Sequence, residues 1–167
     1  MKKQKIAVIG YGVIGKRVAD AIALQDDMDL TGVADVISDW RIQTAVRKGY
    51  LVYAATAEAR QNMQAAGIPV EGDMDELLSQ ADLAVDCTPK KIAAQNVENY
   101  KKLGIKFILQ GGEKHETTGH SFSAENNYAS ALNRDSTRVV SCNTTSILRT
   151  LTALKRTGLL QSARGTL

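Results

Sequence analysis

The first apolar run, Ile6-Ala7-Val8-Ile9, carries no charge and leads straight into glycine. A run this short, bounded by Lys5 and Gly10, predicts a buried strand over residues 5–10. The period then changes. Val18, Ala21, Ile22 and Leu24 recur near every 3.6 residues and predict a helix over 15–25. Residues 29–34 return to the strand pattern. Strand, glycine turn, helix and strand make a βαβ unit, which builds a parallel sheet with a right-handed crossover.

The alternation continues. Residues 40–48 and 57–66 read as helices, with a strand over 51–54 between them and a short extended piece at 69–72. Asp73 is placed to cap a helix over Met74–Ser79, with Glu76 completing a capping box. A strand over 81–87 ends at Thr88-Pro89. A helix over 92–103 and a strand over 107–109 close on Gln110-Gly111-Gly112. Residues 113–123 are polar without a period. A short helix over 126–132, a strand over 138–141, a helix over 143–155 and the start of a strand at 163–167 follow. The expected fold class is α/β, a Rossmann-type doubly wound parallel sheet. A strand that begins and halts at the last residue suggests a chain cut inside a larger fold.

Composition narrows the function. The 167 residues suit one domain with an appendage, and 44% apolar residues suffice for a core. A net charge of +3 gives no argument for nucleic acid or an acidic membrane as partner. The basic start precedes a run too short for a signal peptide, and no stretch approaches the ~18 apolar residues of a membrane span. A cytoplasmic protein is expected. Cys87, Cys142, His115 and His120 lack the dense spacing of a zinc site, so no metal and no disulfide are expected.

Candidate chemistry sits in two places. Gly10-Tyr11-Gly12-Val13-Ile14-Gly15 is a GxGxxG run after a strand and opening a helix. Gly10 permits the tight turn, Gly12 the close approach of a pyrophosphate, and Gly15 the packing of helix on strand. The helix start offers N–H groups to the phosphates. Asp35, twenty residues after Gly15, is placed to accept from ribose hydroxyls and to repel a 2′-phosphate, which favours NAD over NADP. Arg41 and Arg47 follow closely and would soften that preference. Thr88 and Pro89 fit a cofactor wall. Cys142 lies between a strand and a helix, where the helix dipole favours a thiolate and free N–H groups favour an oxyanion. A thiolate there could attack an aldehyde, and an inert cysteine fits the local pattern equally well. Cys87 reads as a small buried residue, and His115 and His120 as surface residues.

Residues 10–21, Gln25-Asp26-Asp27-Met28, Gln110-Gly111-Gly112-Glu113-Lys114 and Arg138-Val139-Val140-Ser141-Cys142-Asn143-Thr144-Thr145 together resemble archaeal-type glyceraldehyde-3-phosphate dehydrogenase. The resemblance runs over essentially the whole chain and implies its N-terminal half. It implies that Cys142 is the nucleophile, that Ser141 and Asn143 contact substrate, and that Val13, Ile14 and Gly112 contact cofactor. It implies phosphate-dependent oxidation of glyceraldehyde 3-phosphate to 1,3-bisphosphoglycerate, with NAD, NADP or both, in a cytoplasmic homotetramer. Many relatives carry lysine where Asp35 stands here, which agrees with NAD. Residues 1–140 would form the dinucleotide-binding domain and 141–167 the start of a catalytic domain. The family's catalytic histidine and phosphate-binding arginine pair would lie beyond Leu167. A stand-alone dinucleotide-binding module without catalysis, and a semialdehyde dehydrogenase-type Rossmann oxidoreductase, are the alternatives.

Overall fold

The structure, a computed structural model, describes residues 2–165. It is an eight-stranded sheet with helices on both faces. In chain order the strands are β1 Gln4–Ile9, β2 Met28–Asp35, β3 Val52–Ala54, β4 Gly72–Asp73, β5 Leu83–Asp86, β6 Lys106–Leu109, β7 Ser121–Phe122 and β8 Ser136–Val139. The helices are α1 Val13–Ala23, α2 Trp40–Arg47, α3 Ala57–Ala65, α4 Met74–Ser79, α5 Lys90–Leu103, α6 Ala124–Ala131 and α7 Cys142–Arg156. The sheet order is β4-β3-β2-β1-β5-β6-β8-β7, and each pairing is parallel.

Alternation along β1 divides the core. Ile6 and Val8 join Val33, Ile22, Ile42 and Met63 on the face covered by α1, α2 and α3. Ala7 and Ile9 join Leu77, Val97, Tyr100 and Phe107 on the face covered by α4 and α5. Because β1 is buried on both faces, its sequence reads as a continuous apolar run. The chain winds one way from β1 through β2, β3 and β4, and the other way from β5 onward. The order therefore reverses between β1 and β5, and ligands of such sheets bind beyond the strand ends at that reversal.

Several expectations need correction. The first helix starts at Val13, two residues early, because Gly12 itself is the N-cap. The polar stretch after Gly112 contains a 3-10 turn, His115–Thr117, and the short strand β7. Two residues paired only on β8 at the sheet edge leave no periodic trace. The strand expected over 138–141 is shifted to Ser136–Val139, and Ser141 caps α7 instead. Residues 163–165 are not strand, and residues 166–167 of that expected element lie outside the described residues. Asp73 and Glu76 form the expected capping box.

The end of the chain is thinly packed. None of α7 is buried, and Ile147 and Leu154 are exposed. Its ties to the rest include Asn126 Nδ2 donating to Thr152 Oγ1 at 2.7 Å.

Candidate active site

The glycine turn is built as the spacing requires. Gly10 has φ +86°, a left-handed conformation that a side chain would strain. A Cβ on Gly15 would stand 1.8 Å from the Gly10 carbonyl oxygen, so α1 can pack on the turn only without one. A Cβ on Gly12 would meet nothing within 4 Å. The space above Gly12 is open, and Gly12 has no side chain to cap the first N–H groups of α1. An open helix start of this kind suits a phosphate group.

Asp35 ends β2 beside this turn. Its carboxylate accepts from the backbone N–H groups of Tyr11, of Val36 at 2.6 Å and of Ile37 at 3.2 Å. The group expected to face a ribose thus also braces the turn to the end of β2. Asp86, fully buried at the end of β5, plays a comparable part that sequence reasoning missed. It accepts from Thr88 N at 2.9 Å, Thr88 Oγ1 at 2.6 Å, Asn96 Nδ2 at 2.9 Å and the Tyr100 hydroxyl at 2.7 Å. These donors satisfy a buried charge and fix Thr88 against the glycine turn. An acidic residue closing an apolar strand was the signal available.

Two cavities open at the carboxyl ends of the strands. The first, about 730 Å³, is lined by Gly10, Gly12, Ile14, Asp35, Arg41, Thr88 and Pro89 among others. The second, about 760 Å³, is lined by Gly112, Ser141, Cys142, Thr145, Ser146 and Arg149 among others. Ile14, Gln110 and Gly111 line both, so the two adjoin. Val13, exposed on the first turn of α1, Gly15, buried beneath the turn, and Asn143, exposed on α7, line neither. Arg47 lies apart, in a small depression with Gln43, Val46 and Pro69, so Arg41 is the arginine of that pair at the cleft.

The two thiols differ. Cys142 is exposed at the first position of α7, where the Ser141 Oγ cap accepts from Thr144 N at 3.2 Å. Cys87 lines the dinucleotide-sized cleft, and burial, with the Asp86 and Glu113 charges adding, pushes its thiol up to about 12. Because the thiolate is the nucleophile, iodoacetamide at pH 8 should alkylate Cys142 and leave Cys87 unmodified. Peptide mass mapping reads the result, and equal labelling would contradict the geometry.

The histidines also separate. His115 is exposed, as expected. His120 is buried, contrary to expectation, with Nδ1 2.7 Å from Thr137 Oγ1 and Nε2 2.9 Å from Ser130 Oγ. The unforeseen β7 carries it inward. Both ring nitrogens are engaged in linking β8 to α6.

Glu113 was likewise missed as an individual residue. It is buried, its Oε2 accepts from Gly111 N at 3.1 Å, and its Oε1 has no partner. It thereby holds the segment shared by the two cavities. Burial, with the Asp86 charge adding, pushes its carboxyl above the usual range. A raised folded value means that the stability Glu113 contributes is complete at low pH and is lost as pH rises through that value. Glu113→Gln, neutral throughout, should therefore melt above the wild type at pH 8. That advantage should vanish below the ordinary Glu value of about 4.3. Melting curves from pH 4 to 8 check the slope.

Comparison with known proteins places these features. The family model described as dihydrodipicolinate reductase, N-terminus, matches residues 4–144. Glyceraldehyde-3-phosphate dehydrogenase of Methanothermus fervidus is 50% identical over 149 residues, 89% of this chain and 44% of that protein. The protein of the same name from Methanococcoides burtonii is 49% identical over 167 residues, 100% of this chain and 50% of that protein. The chain thus spans about half the length of the curated relatives it matches. Among solved structures, aspartate semialdehyde dehydrogenase II of Vibrio cholerae superposes with TM-score 0.60 at 14% identity, covering 93% of this chain and 47% of that one. Scyllo-inositol dehydrogenase of Lactobacillus casei superposes with TM-score 0.57 at 18% identity, covering 94% and 42%. Likeness at that identity shows the Rossmann-type fold alone. The chain belongs to the family of nucleotide-binding domains that the dihydrodipicolinate reductase N-terminus model describes, and is a homologue of archaeal-type glyceraldehyde-3-phosphate dehydrogenase over about half of that enzyme's length.

Proposed function

We propose that this chain is the cofactor-binding half of a phosphorylating glyceraldehyde-3-phosphate dehydrogenase that prefers NAD, with Cys142 as its nucleophile. One observation carries the reading. The cleft over the glycine turn and the cavity holding Cys142 adjoin along Ile14, Gln110 and Gly111. A dinucleotide lying along the first would bring its nicotinamide end to the thiol in the second.

The chain's own groups account for the expected steps other than the proton transfer. Gly12 admits the pyrophosphate, and the first turn of α1 with Val13, Ile14 and Gly15 offers it N–H donors. Asp35 meets the ribose hydroxyls and repels a 2′-phosphate, so NADP is the second choice. Thr88, Pro89 and Gly112 wall the cofactor. Nicotinamide, when bound, supplies the acceptor for the hydride that an aldehyde must lose. The Cys142 thiolate adds to the aldehyde carbon of glyceraldehyde 3-phosphate, and N–H groups at the start of α7 receive the developing oxyanion. Ser141 and Asn143 hold the substrate. Loss of the hydride leaves a thioester on Cys142, which inorganic phosphate cleaves to the acyl phosphate and free thiol. A base must take up the proton in this sequence. Neither His115 nor His120 lines either cavity, and both ring nitrogens of His120 are tied into the fold, so neither is placed to serve.

On this reading residues 1–140 are the dinucleotide-binding domain and 141–167 open a catalytic domain, whose remainder covers the exposed Ile147 and Leu154. The reading carries with it a cytoplasmic homotetramer.

The test is a chimera of this chain with the remaining half of the Methanothermus fervidus relative. The 167-residue chain should bind NADH without turning over aldehyde. The chimera should reduce NAD with glyceraldehyde 3-phosphate only when inorganic phosphate is present. Failure of the chain to bind NADH, or turnover independent of phosphate, defeats the reading.

A further inference from the structure

At the adenosine end of the cleft a carboxylate occupies the guanidinium that a phosphate would need. Arg41 lines the cleft with Asp35, Val36 and Ile37. Its guanidinium is turned onto Asp39. Nε lies 3.0 Å from Oδ1 and 2.9 Å from Oδ2, and Nη2 lies 2.6 Å from Oδ2. The same Asp39 Oδ1 accepts from Arg41 N at 2.9 Å as the N-cap of α2. We propose that Asp39 is a specificity-determining residue for the cofactor, holding Arg41 away from the position a 2′-phosphate would take. The inference rests on the dinucleotide reading of the cleft.

Three observations support it. First, the end of β2 is where this fold meets the adenosine ribose, and an arginine there is the usual partner of a 2′-phosphate. Arg41 is the arginine among the residues lining this cleft, and Asp39 satisfies it on two nitrogens. Second, the pair is half-exposed, 48% for Arg41 and 42% for Asp39. Exposed ion pairs are weak, so a dianionic phosphate competes with Asp39 on open terms. The latch sets a preference and does not lock the site. Third, the groups facing this point nearly balance. Asp35 and Asp39 are acidic. Lys16 Nζ, 4.9 Å from the Trp40 ring centroid, sits close enough to act on the Asp39 charge. Asp35 acts on Arg41 in the same way. Neutralising Asp39 tips this group from two acids against two bases to one against two.

The substitution that tests it is Asp39→Asn. Asparagine caps helices as well as aspartate does, so α2 keeps its cap while the charge goes. The probes are adenosine 2′,5′-bisphosphate and 5′-AMP, which report on the adenosine end without turnover, with affinities taken by calorimetry. D39N should bind the bisphosphate about fivefold more tightly, the upper end of what an exposed ion pair withholds. Affinity for 5′-AMP should move by less than about twofold, as for a change at an exposed pair. Adding Arg41→Ala should cancel the tightening. Equal tightening of both probes would overturn the proposal, because a general charge effect would explain it, and so would no change in either. Survival of the tightening in D39N/R41A would place the phosphate on Lys16 and overturn it too. If the wild type binds neither NADH nor 5′-AMP, the dinucleotide reading falls first and this one with it.

Discussion

Gly12→Ala should weaken dinucleotide binding roughly 10- to 100-fold or more in a protein that still folds, whereas Gly15→Ala should damage the fold itself. The two substitutions add the same methyl group three residues apart. At Gly12 the methyl enters open space, and the backbone there, φ −77° and ψ −158°, suits alanine. Loss of a good N-cap typically costs about 1 kcal/mol. The methyl does occupy the approach to the N–H groups of α1. Charge-assisted hydrogen bonds of that kind contribute about 1.5–3 kcal/mol each, so NADH affinity should fall by roughly 10- to 100-fold or more. At Gly15 the methyl would stand 1.8 Å from the Gly10 carbonyl oxygen, backbone against backbone. Helix α1 must lift off β1, exposing Ala19 and Ile22 at the base of the core. Overpacking of this sort costs about 3 kcal/mol or more, which lowers Tm by roughly 6–12 °C. Melting curves and NADH titrations on both variants separate the outcomes. Equal stability in G15A would mean that the turn and helix are less closely packed than the structure has them.

Cys142→Ala, placed in the chimera, should lower kcat/KM at least ~10³-fold while NADH affinity is retained. Removing a covalent nucleophile typically costs that much or more, because no other group can carry the acyl chain. Binding survives because Cys142 lines the second cavity and not the cleft over the glycine turn. Cys87→Ala should keep activity, since a thiol held near 12 by burial contributes little thiolate at neutral pH. A Cys142→Ala chimera with ordinary turnover would remove Cys142 from the chemistry. A parallel loss of NADH binding would show instead that α7 helps form the cofactor cleft.

The known relatives weigh the alternatives unequally. The semialdehyde dehydrogenase likeness extends to the path of the chain at 14% identity. The likeness to glyceraldehyde-3-phosphate dehydrogenases is about half of all residues. A binding module without catalysis is separated by the chimera.

The core elements were legible because local rules and tertiary context agree there. The βαβ start needs an apolar strand, a glycine turn and an amphipathic helix in that order, and each leaves its own period. Gly10, Gly12 and Gly15 could be assigned roles because each answers a separate steric demand, and the geometry meets those demands at Gly10 and Gly15. The capping box at Asp73 and Glu76 is local by nature. Other features depend on what lies across the sheet. β7 is two residues long and exists because β8 pairs with it, so no pattern in 113–123 announces it. His120 becomes buried through that pairing. Glu113 is buried in the loop after β6, and its role in holding Gly111 is a matter of position. The same is true of Arg41 and Arg47, six residues apart on one helix, of which only the first reaches the cleft. Sequence determined the core strands, the turn and the thiol at a helix start, since those follow from the residue and its neighbours. Tertiary structure decided which cavities adjoin, which carboxylates are braced and which guanidinium is occupied, because those depend on residues far apart in the chain meeting at the strand ends.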